Sequence, residues 1–447
     1  MEKQARANEN VMGTEQVRHL LLRTGIPLML SLLINSLYNF VDSVFVSQVA
    51  EDALTALSLA APVQTLISAL GLGNAVGLNA AISKALGEKR ADKVKKTASA
   101  AIFLAVCAWM LISVTCLIGV GWYFDWQSGG NETIAAYGRD YLSICMLFSL
   151  GQMGQWVFDR FVIASGKSNL FLFTLSAASI TNLILDPIFI FGFHMGTRGA
   201  AIATVIGQFT GWLAGILINR RWNREIPFSF TLRPDWKSVR TILRVGIPST
   251  LVQVLTSFVA VVMNSILLAF SSTAVAVYGI CARMQELCTV GVHGIDNGLI
   301  PIVAYNYGAK KPERVRDAVR WGLVYSFLFY ALFLLVLELM PENVLRLFNA
   351  SDYMMGIGVG AVRLFALAWL ISIPNLVIAS ALQGLLLPLP SMVLTMLRQA
   401  VLPVLLALLV QGKGELTLVW AAFAVSEAIC VPGSLLVWKK KQAQIAA

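Results

Sequence analysis

Charged residues are scarce in this chain, since Asp, Glu, Lys and Arg together make up 13% of its 447 residues. Soluble domains average about 25% charged residues. Hydrophobic residues reach 57% of the sequence, and the mean hydropathy is +0.73. This composition excludes an ordinary soluble protein and indicates a chain that crosses the membrane many times.

Histidine is scarce, and the cysteines are not arranged in the closely spaced pairs that bind metals. The three histidines are far apart in sequence, and the six cysteines lie in apolar stretches without a Cys-x-x-Cys pair. A zinc site and metalloprotease chemistry therefore have no basis in the sequence, and we interpret the cysteines as packing residues. No Gly-rich loop ends in Gly-Lys-Ser/Thr, and no membrane catalytic cluster is visible, so we expect neither a nucleotide, a cofactor nor an enzyme.

Long apolar stretches take the place of these motifs. About twelve of them occur between Leu20 and Trp438, each long enough to cross roughly 30 Å of hydrocarbon as a helix. The sequence therefore predicts an all-α membrane protein. Residues 1–19 are polar and lack the apolar core and cleavage site of a signal peptide, so we expect a cytosolic tail.

The net charge of +10 follows the predicted topology and does not indicate nucleic-acid binding. If the N-terminus is inside and the chain has twelve spans, 27 of the 34 Lys and Arg residues fall on the inner side and 5 on the outer side. The other two, Arg283 and Arg398, lie within predicted spans. Cytoplasmic loops carry such an excess of positive charge. We therefore predict a plasma (inner) membrane protein, in contact with lipid, with both termini in the cytoplasm.

The chain also repeats itself. Residues 25–27 (Gly-Ile-Pro) recur as residues 246–248, and the same shift along the chain, here called the repeat offset, pairs Gly77 with Gly298 and Lys89 with Lys310. Two homologous halves of six helices each would share one orientation and enclose a central cavity. The predicted organisation is a tail (1–19), an N-lobe (20–219), a basic cytosolic linker (220–241), a C-lobe (242–438) and a second tail (439–447).

Two acids lie inside predicted spans of the first half. Asp42 interrupts the apolar stretch Leu28–Val49, and Asp186 interrupts residues 183–193, each about 9 Å from the outer end of its span. Asn182 shares the helix face of Asp186, and Thr204 lies at a similar depth in the next span. Intramembrane acids usually mark ion pathways, although a buried acid can also be a structural hydrogen-bonding group. Oxygen ligands suit Na⁺ and a buried carboxylate suits H⁺, so both ions remain candidates.

Several separated segments resemble one transporter family. They are residues 38–46 (YNFVDSVFV), 181–192 (TNLILDPIFIFG), 199–204 (GAAIAT) and 301–310 (PIVAYNYGAK). Their sequences and order are similar to those of prokaryotic multidrug and toxic compound extrusion (MATE) transporters. The resemblance implies a cation-coupled efflux antiporter with alternating access. It further implies that the coupling H⁺ or Na⁺ is bound by Asp42, Asn182, Asp186 and Thr204, and that span 1 bends at Pro27.

The substrate is poorly encoded. We expect small organic, cationic and amphipathic compounds and a monomeric transporter. The candidate residues of the substrate cavity are Asn35, Tyr38, Asn39, Met153 and Asp159. Core packing explains the apolar and aromatic candidates equally well, and an ion pair with the neighbouring Arg160 explains Asp159.

The second half departs from the first, because Met263 occupies the position equivalent to Asp42. A different polar network is predicted there, formed by Arg283, Glu286, Asp296 and Arg398. Asp296 and Arg398 lie at similar depths, so we predict that they pair, while a substrate or proton role for Asp296 remains the alternative. The alternative function is a lipid-linked oligosaccharide flippase of a related superfamily branch, which would need more basic residues in the cavity to bind pyrophosphate.

Overall fold

The structure is a computed structural model that describes residues 10–49, 51–128, 130–346 and 351–446. Within these ranges, the side chains of residues 38–40, 42–44, 46, 47, 51, 54 and 446 are not described. The described part of the chain consists of helices and short connections. In the first half the helices are α1 (Val11–Thr14), α2 (Val17–Ser47), α3 (Glu51–Gly87), α4 (Ala91–Gln127), α5 (Glu132–Leu147), α6 (Leu150–Ala164), α7 (Asn169–Pro187) and α8 (Thr197–Trp222).

The second half follows the same plan. Its helices are α9 (Trp236–Leu268), α10 (Ser272–Gly308), α11 (Pro312–Leu339), α12 (Pro341–Arg346), α13 (Asp352–Gly384), α14 (Pro388–Met396), α15 (Leu402–Gln411) and α16 (Leu416–Ala446). Two π turns interrupt this pattern: Ile188–Gly192 extends α7, and Leu397–Val401 joins α14 to α15. π turns often mark functional positions, and each of these lies next to or contains a charged residue of the sequence prediction.

Among the described residues, eleven helical segments are long and apolar enough to cross a membrane. The one remaining span of the twelve predicted, the fourth along the chain, is divided between α5 and α6, which are 16 and 15 residues long. At this break the Ser149 hydroxyl donates to the Met146 carbonyl (2.8 Å), and the Trp109 indole donates to the Leu147 carbonyl (2.7 Å). Side chains thus satisfy carbonyls that a continuous helix would have bonded internally. The predicted all-α fold class is confirmed.

The chain forms two compact units. The first contains residues 1–12 and 30–250, and the second contains residues 13–29 and 251–447. The early part of α2 therefore belongs to the second unit, and the early part of α9 belongs to the first. These two changes of unit, after positions 29 and 250, are related by the repeat offset. The N-lobe and C-lobe ranges remain a sequence prediction, and the contact-defined units differ from them in these segments.

Glycines allow the early parts of α2 and α9 to pack closely against the compact units to which they belong. In the first unit, a methyl group on Gly246 of α9 would lie 2.6 Å from the carbonyl oxygen of Gly73 of α3. In the second unit, a methyl group on Gly294 of α10 would lie 2.9 Å from the carbonyl oxygen of Gly25 of α2. Such distances leave no space for a side chain, so backbone lies directly against backbone. The repeated glycines at positions 25 and 246 therefore serve equivalent helix contacts.

Turns repeat between the halves as well. Lys89 (φ +56°) and Lys310 (φ +55°) both adopt the left-handed conformation just after a long helix. Gly166 (φ +79°) and Leu386 (φ +58°) adopt the same left-handed conformation at a second pair of turns. In all four turns, the backbone amide of the left-handed residue donates to the carbonyl oxygen of the residue three positions before it. A non-glycine residue in this conformation costs roughly 1–2 kcal/mol. The fold therefore imposes this turn geometry even where the sequence lacks glycine.

Candidate functional site

The first unit brings together three of the four predicted coupling residues. Asn182 and Asp186 lie one turn apart on α7, and the Asn182 amide nitrogen donates to Asp186 Oδ1 and to Thr204 Oγ1 of α8, at 3.3 Å each. Asn182 is 2% exposed and Asp186 is 0% exposed. A carboxylate, an amide and a hydroxyl thus form one buried polar cluster within two adjacent spans.

A stripe of small residues brings α8 close enough for this contact. Every fourth residue along α8 is small or an asparagine: Gly199, Ala203, Gly207, Gly211, Gly215, Asn219 and, just beyond the helix, Asn223. A methyl group on Gly207 would lie 2.8 Å from the Ala178 carbonyl oxygen and 3.1 Å from Asn182 Cβ. Small-residue stripes of this kind allow membrane helices to approach each other closely. The stripe therefore sets the distance between Asn182 and Thr204.

Two asparagines lie at the C-terminal end of the same stripe. The Asn219 amide donates to the carbonyl oxygens of Phe158 (3.0 Å) and Gly215 (2.8 Å), and the Asn223 amide donates to the Phe161 carbonyl (3.0 Å) and to Asn219 Oδ1 (2.8 Å). Both asparagines are buried. The bonds to Phe158 and Phe161 anchor the C-terminal end of α8 to α6. Sequence reasoning missed them, although the four-residue spacing was visible.

The C-terminal end of α2 contacts the π turn that follows Asp186. Phe45 of α2 packs edge-on against Phe191 of the π turn that follows Asp186, with ring centroids 6.3 Å apart. Asp42 lies three residues before Phe45 on the same helix, and its side chain is outside the described residues. Helix α2 therefore positions the backbone of Asp42 one turn from a helix segment that contacts the extension of α7.

The oxygen chemistry of the cluster fits a small hard cation. Asn182 Oδ1 is buried without a hydrogen-bond partner among the described residues, and the Asp186 carboxylate and Thr204 hydroxyl are within reach of the same side chain. In the present arrangement the Asn182 amide offers its N–H to both neighbours. A Na⁺ bound there would need the amide to turn its oxygen inward, whereas a proton on Asp186 would need no such rotation.

The remaining first-half candidates have the following positions. Met153 is 2% exposed in the core of the first unit, and Asn35 is half-buried in α2. Asp159 is 2% exposed and accepts a 2.6 Å hydrogen bond from the Thr174 hydroxyl. Tyr38 and Asn39 lie in α2, but their side chains are outside the described residues. None of these placements tests a role in substrate binding.

The polar network of the second unit differs from the predicted one. Arg398 Nη1 donates to Glu427 Oε1 at 2.7 Å, and the Asn375 amide donates to Glu427 Oε2 at 2.8 Å. The Ser434 hydroxyl completes the network by donating to Asn375 Oδ1 at 2.7 Å. Among the described residues, the ion-pair partner of Arg398 within 4.0 Å is Glu427 and not the predicted Asp296, although the charges of Asp296 and Arg398 lie close enough to interact. The sequence predicted similar depths for Asp296 and Arg398, but Arg398 contacts Glu427 of α16.

Glu427 was missed although the sequence marked it. It is the only charged residue between Leu416 and Val437, which is the same pattern that singled out Asp42. The other predicted members of the network, Arg283 and Glu286, are exposed and have no ion-pair partner within 4.0 Å among the described residues. The hydrogen bonds in this region run through Arg398, Glu427, Asn375 and Ser434, and a role for the four predicted residues stays a prediction.

Comparison with known families agrees with this architecture. A family model described as MatE matches residues 27–188 and 248–409, two segments whose boundaries are again related by the repeat offset. The chain belongs to the MatE family. The predicted MATE resemblance is confirmed, and Pro27 stands at the first matched position of one segment as Pro248 does in the other.

Curated relatives within the MATE family are bacterial exporters by name. The multidrug export protein MepA of Staphylococcus haemolyticus (strain JCSC1435) is 26% identical over 333 residues, covering 74% of this chain and 73% of the relative. MepA of Staphylococcus aureus (strain N315) is 27% identical over 304 residues, covering 67% of this chain and 66% of the relative. The S. aureus alignment therefore spans just under two thirds of that protein.

Solved structures share the MATE fold across nearly the whole chain. A MOP superfamily transporter from Pyrococcus furiosus superposes with a TM-score of 0.90 at 22% identity, covering 98% of this chain and 99% of that one. MATE crystal structures described as straight and bent superpose with TM-scores of 0.90 and 0.89, both at 23% identity, covering 98% and 96% of this chain and 99% and 96% of those chains. At these identities the likeness establishes the fold. Bending of α2 at Pro27 stays a prediction for this chain.

Proposed function

We propose that this MATE-family chain exports small organic molecules in exchange for a cation, H⁺ or Na⁺, bound in the first unit. The observation that carries this proposal is the buried Asn182–Asp186–Thr204 cluster, because an acid that is 0% exposed within a predicted span is costly unless it exchanges or binds something. Asp42 would complete the site from α2. The names of the staphylococcal relatives support multidrug export.

Exchange requires only that cation and substrate occupancy disfavour each other by a few kcal/mol. One buried carboxylate that changes charge can supply that amount, since each unit of pKa change corresponds to about 1.4 kcal/mol. No bond in the substrate is broken, so the chain acts as a transporter and not as an enzyme. The coupling ion is the only bound ion that this mechanism needs.

The substrates proposed here are cationic, amphipathic compounds, and the protein would act as a monomer in the plasma membrane with both termini in the cytoplasm. The flippase alternative receives little support from the second unit. Its buried base, Arg398, is already neutralised by Glu427 at 2.7 Å. A pyrophosphate group would therefore have to displace an existing buried carboxylate before it could bind this guanidinium.

The proposal is tested by ethidium transport in proteoliposomes under an imposed pH gradient and, separately, an imposed Na⁺ gradient. Native protein is compared with Asp186→Asn and Asp42→Asn, and with Asp92→Asn as a control, since the Asp92 side chain is 78% exposed in a surface pair with Lys96. We expect dye movement with one gradient, its loss in both site variants and its retention in the control.

Three outcomes decide the matter. Transport by native protein under one gradient names the coupling ion. Equal transport by native protein and Asp186→Asn would remove this cluster from the mechanism while leaving an exporter. If native protein moves no dye under either gradient but moves a fluorescent lipid-linked substrate, the flippase function replaces the proposed one.

A further inference from the structure

The linker between the two halves is held firmly on the first unit. Residues 223–235 connect α8 to α9 without regular secondary structure. The Phe228 ring packs edge-on against that of Phe158 of α6, with centroids 4.8 Å apart, and the Ser229 hydroxyl lies 3.3 Å from that of Ser99 of α4. These contacts fix the linker beside α4, α8 and α9, all three of which are long and apolar enough to cross a membrane. A segment that joins the ends of two spans lies at the membrane surface.

The linker and the helix ends beside it carry an excess of positive charge. Residues 220–244 contain seven Lys and Arg residues and two acids. Both acids are already engaged, Glu225 by Lys167 at 3.1 Å and Asp235 by the Ser238 hydroxyl at 2.7 Å. All seven basic residues are exposed, and none has an ion-pair partner within 4.0 Å among the described residues. Their charge is therefore uncompensated by the protein.

Large apolar side chains are exposed among these charges. Trp222 is 55% exposed, Trp236 is 70% exposed and Leu232 is 76% exposed. Lys237 and Arg240 lie one turn apart on α9 and share a helix face. Tryptophan and leucine next to lysine and arginine are typical of segments that lie in the membrane interface, where apolar rings enter the lipid and cations meet headgroup phosphates.

Trp236 also makes the apolar part of this surface continuous with a membrane span. Its ring packs edge-on against that of Phe103, with centroids 6.4 Å apart, and Phe103 lies within the apolar helix Ala91–Gln127. A soluble anion or nucleic acid would meet the charges but leave the exposed rings in water. A phospholipid satisfies both, because its phosphate meets the basic side chains while its acyl chains continue along α4.

We propose that the linker surface, which we define as Trp222, Arg224, Arg233, Trp236, Lys237 and Arg240, binds the headgroups of anionic phospholipids in preference to zwitterionic ones. Each basic residue near an anionic headgroup attracts it by a factor of about five. Lipid bound here contacts the same unit that contains the Asn182–Asp186–Thr204 cluster. This binding is independent of the proposed transport activity.

The test is quenching of tryptophan fluorescence in the purified full-length protein, reconstituted in phosphatidylcholine vesicles that contain a minor fraction of brominated lipid. Bromine atoms near the carboxyl end of an acyl chain quench the tryptophans that they touch. We expect brominated phosphatidylglycerol to quench Trp222 and Trp236 as strongly as about five times as much brominated phosphatidylcholine, the factor that one basic residue gives. This excess quenching should shrink in high salt, because salt screens exposed charges.

Matched tryptophan variants locate the lipid. Trp222→Phe/Trp236→Phe removes the two tryptophans of the linker surface, so the excess quenching should disappear. Trp122→Phe/Trp126→Phe is the control, because these residues are 70% and 68% exposed and lie at the other end of α4. This control variant should keep the excess.

A charge variant tests the cause of the preference. Arg224→Gln/Arg233→Gln/Lys237→Gln/Arg240→Gln changes only exposed side chains, which usually alters stability little. The factor between the two brominated lipids should fall to about one, while quenching by brominated phosphatidylcholine should stay as in native protein.

Equal quenching of native protein by the two brominated lipids would overturn the proposal. An excess that survives in the variant without Trp222 and Trp236, or in the charge variant, would overturn it as well. Loss of the excess when soluble glycerol 3-phosphate is added at constant ionic strength would also contradict it, since the linker surface would then bind free phosphate esters and not lipid.

Discussion

Removal of Glu427 alone should strongly destabilise the protein. Glu427→Leu would leave the Arg398 guanidinium, 4% exposed, without its carboxylate partner at 2.7 Å. It would also remove one of the two acceptors of the Asn375 amide, Glu427 Oε2, while the backbone carbonyl of residue 427 would remain as the other. Breaking one side of a buried ion pair costs about 3–5 kcal/mol, because the remaining charge stays desolvated and unpaired. We therefore expect the free energy of unfolding to fall by about that amount.

Removal of both charges should be far milder. In Arg398→Met/Glu427→Leu no lone charge is left, and replacing a buried ion pair by apolar residues is often neutral or stabilising. The two single substitutions should thus be non-additive by several kcal/mol, since the residues are in direct contact. The lost Asn375 hydrogen bond should remain as a cost of about 1 kcal/mol.

The measurement is an SDS titration of the protein in mixed micelles, followed by far-ultraviolet circular dichroism, for the native protein, both single variants and the double variant. Glu415→Leu is the control, because that exposed acid lies before the same helix. If Glu427→Leu is no more destabilising than Glu415→Leu, or if the single effects add in the double variant, the ion pair described above does not exist in the folded protein.

Three further predictions concern helix packing, a turn and a helix start. Gly207→Ala should lower the free energy of unfolding by about 1–3 kcal/mol, because the added methyl group overpacks the contact between α7 and α8. Gly356→Ala is the control: this glycine has open space around it, so the substitution should raise the free energy of unfolding by about 0.5–1 kcal/mol. Equal effects of the two substitutions in an SDS titration would contradict the close α7–α8 contact. Lys310→Gly should raise the free energy of unfolding by about 0.5–1 kcal/mol, because Lys310 has a φ of +55° and glycine adopts this left-handed conformation without strain. A melting temperature below that of native protein would refute this prediction. Asp235 accepts hydrogen bonds from the hydroxyl (2.7 Å) and, more weakly in effect, from the backbone amide (2.9 Å) of Ser238, and these hold the pKa of its carboxyl below the ordinary value. Its stabilisation is therefore present above the unfolded-state pKa of about 4 and is lost as the pH falls through the folded-state pKa, so the melting-temperature difference between native protein and Asp235→Ala should shrink in acid and would be pH-independent if the carboxylate played no part.

The repeat is where sequence and structure agree in most detail. One constant offset, that from Gly25 to Gly246, relates the repeated sequence motifs, the two matched MatE segments, the two changes of compact unit and the left-handed turns at Lys89 and Lys310. Sequence could predict this offset because equivalent packing positions demand the same residue types. A methyl group on Gly246, for example, would lie 2.6 Å from the Gly73 carbonyl oxygen, and one on Gly294 would lie 2.9 Å from the Gly25 carbonyl oxygen.

The polar sites were predicted less evenly. Asn182 and Asp186 share a helix face by their four-residue spacing, so their proximity followed from sequence alone. The contact with Thr204 depended on depth, and it held because the glycines of α8 bring the two helices together. For Arg398 equal depth suggested Asp296, whereas the rotation of the helix selected Glu427.

Composition and apolar run length alone determined that this chain is an all-α membrane protein, and the repeated motifs determined its two halves and its family. These properties depend on transfer of side chains into hydrocarbon and on local helix geometry, which the order of residues encodes directly. The tertiary structure alone decided which buried charges meet. Partner choice depends on how each helix is rotated about its axis, and that rotation results from close packing between residues far apart in the sequence.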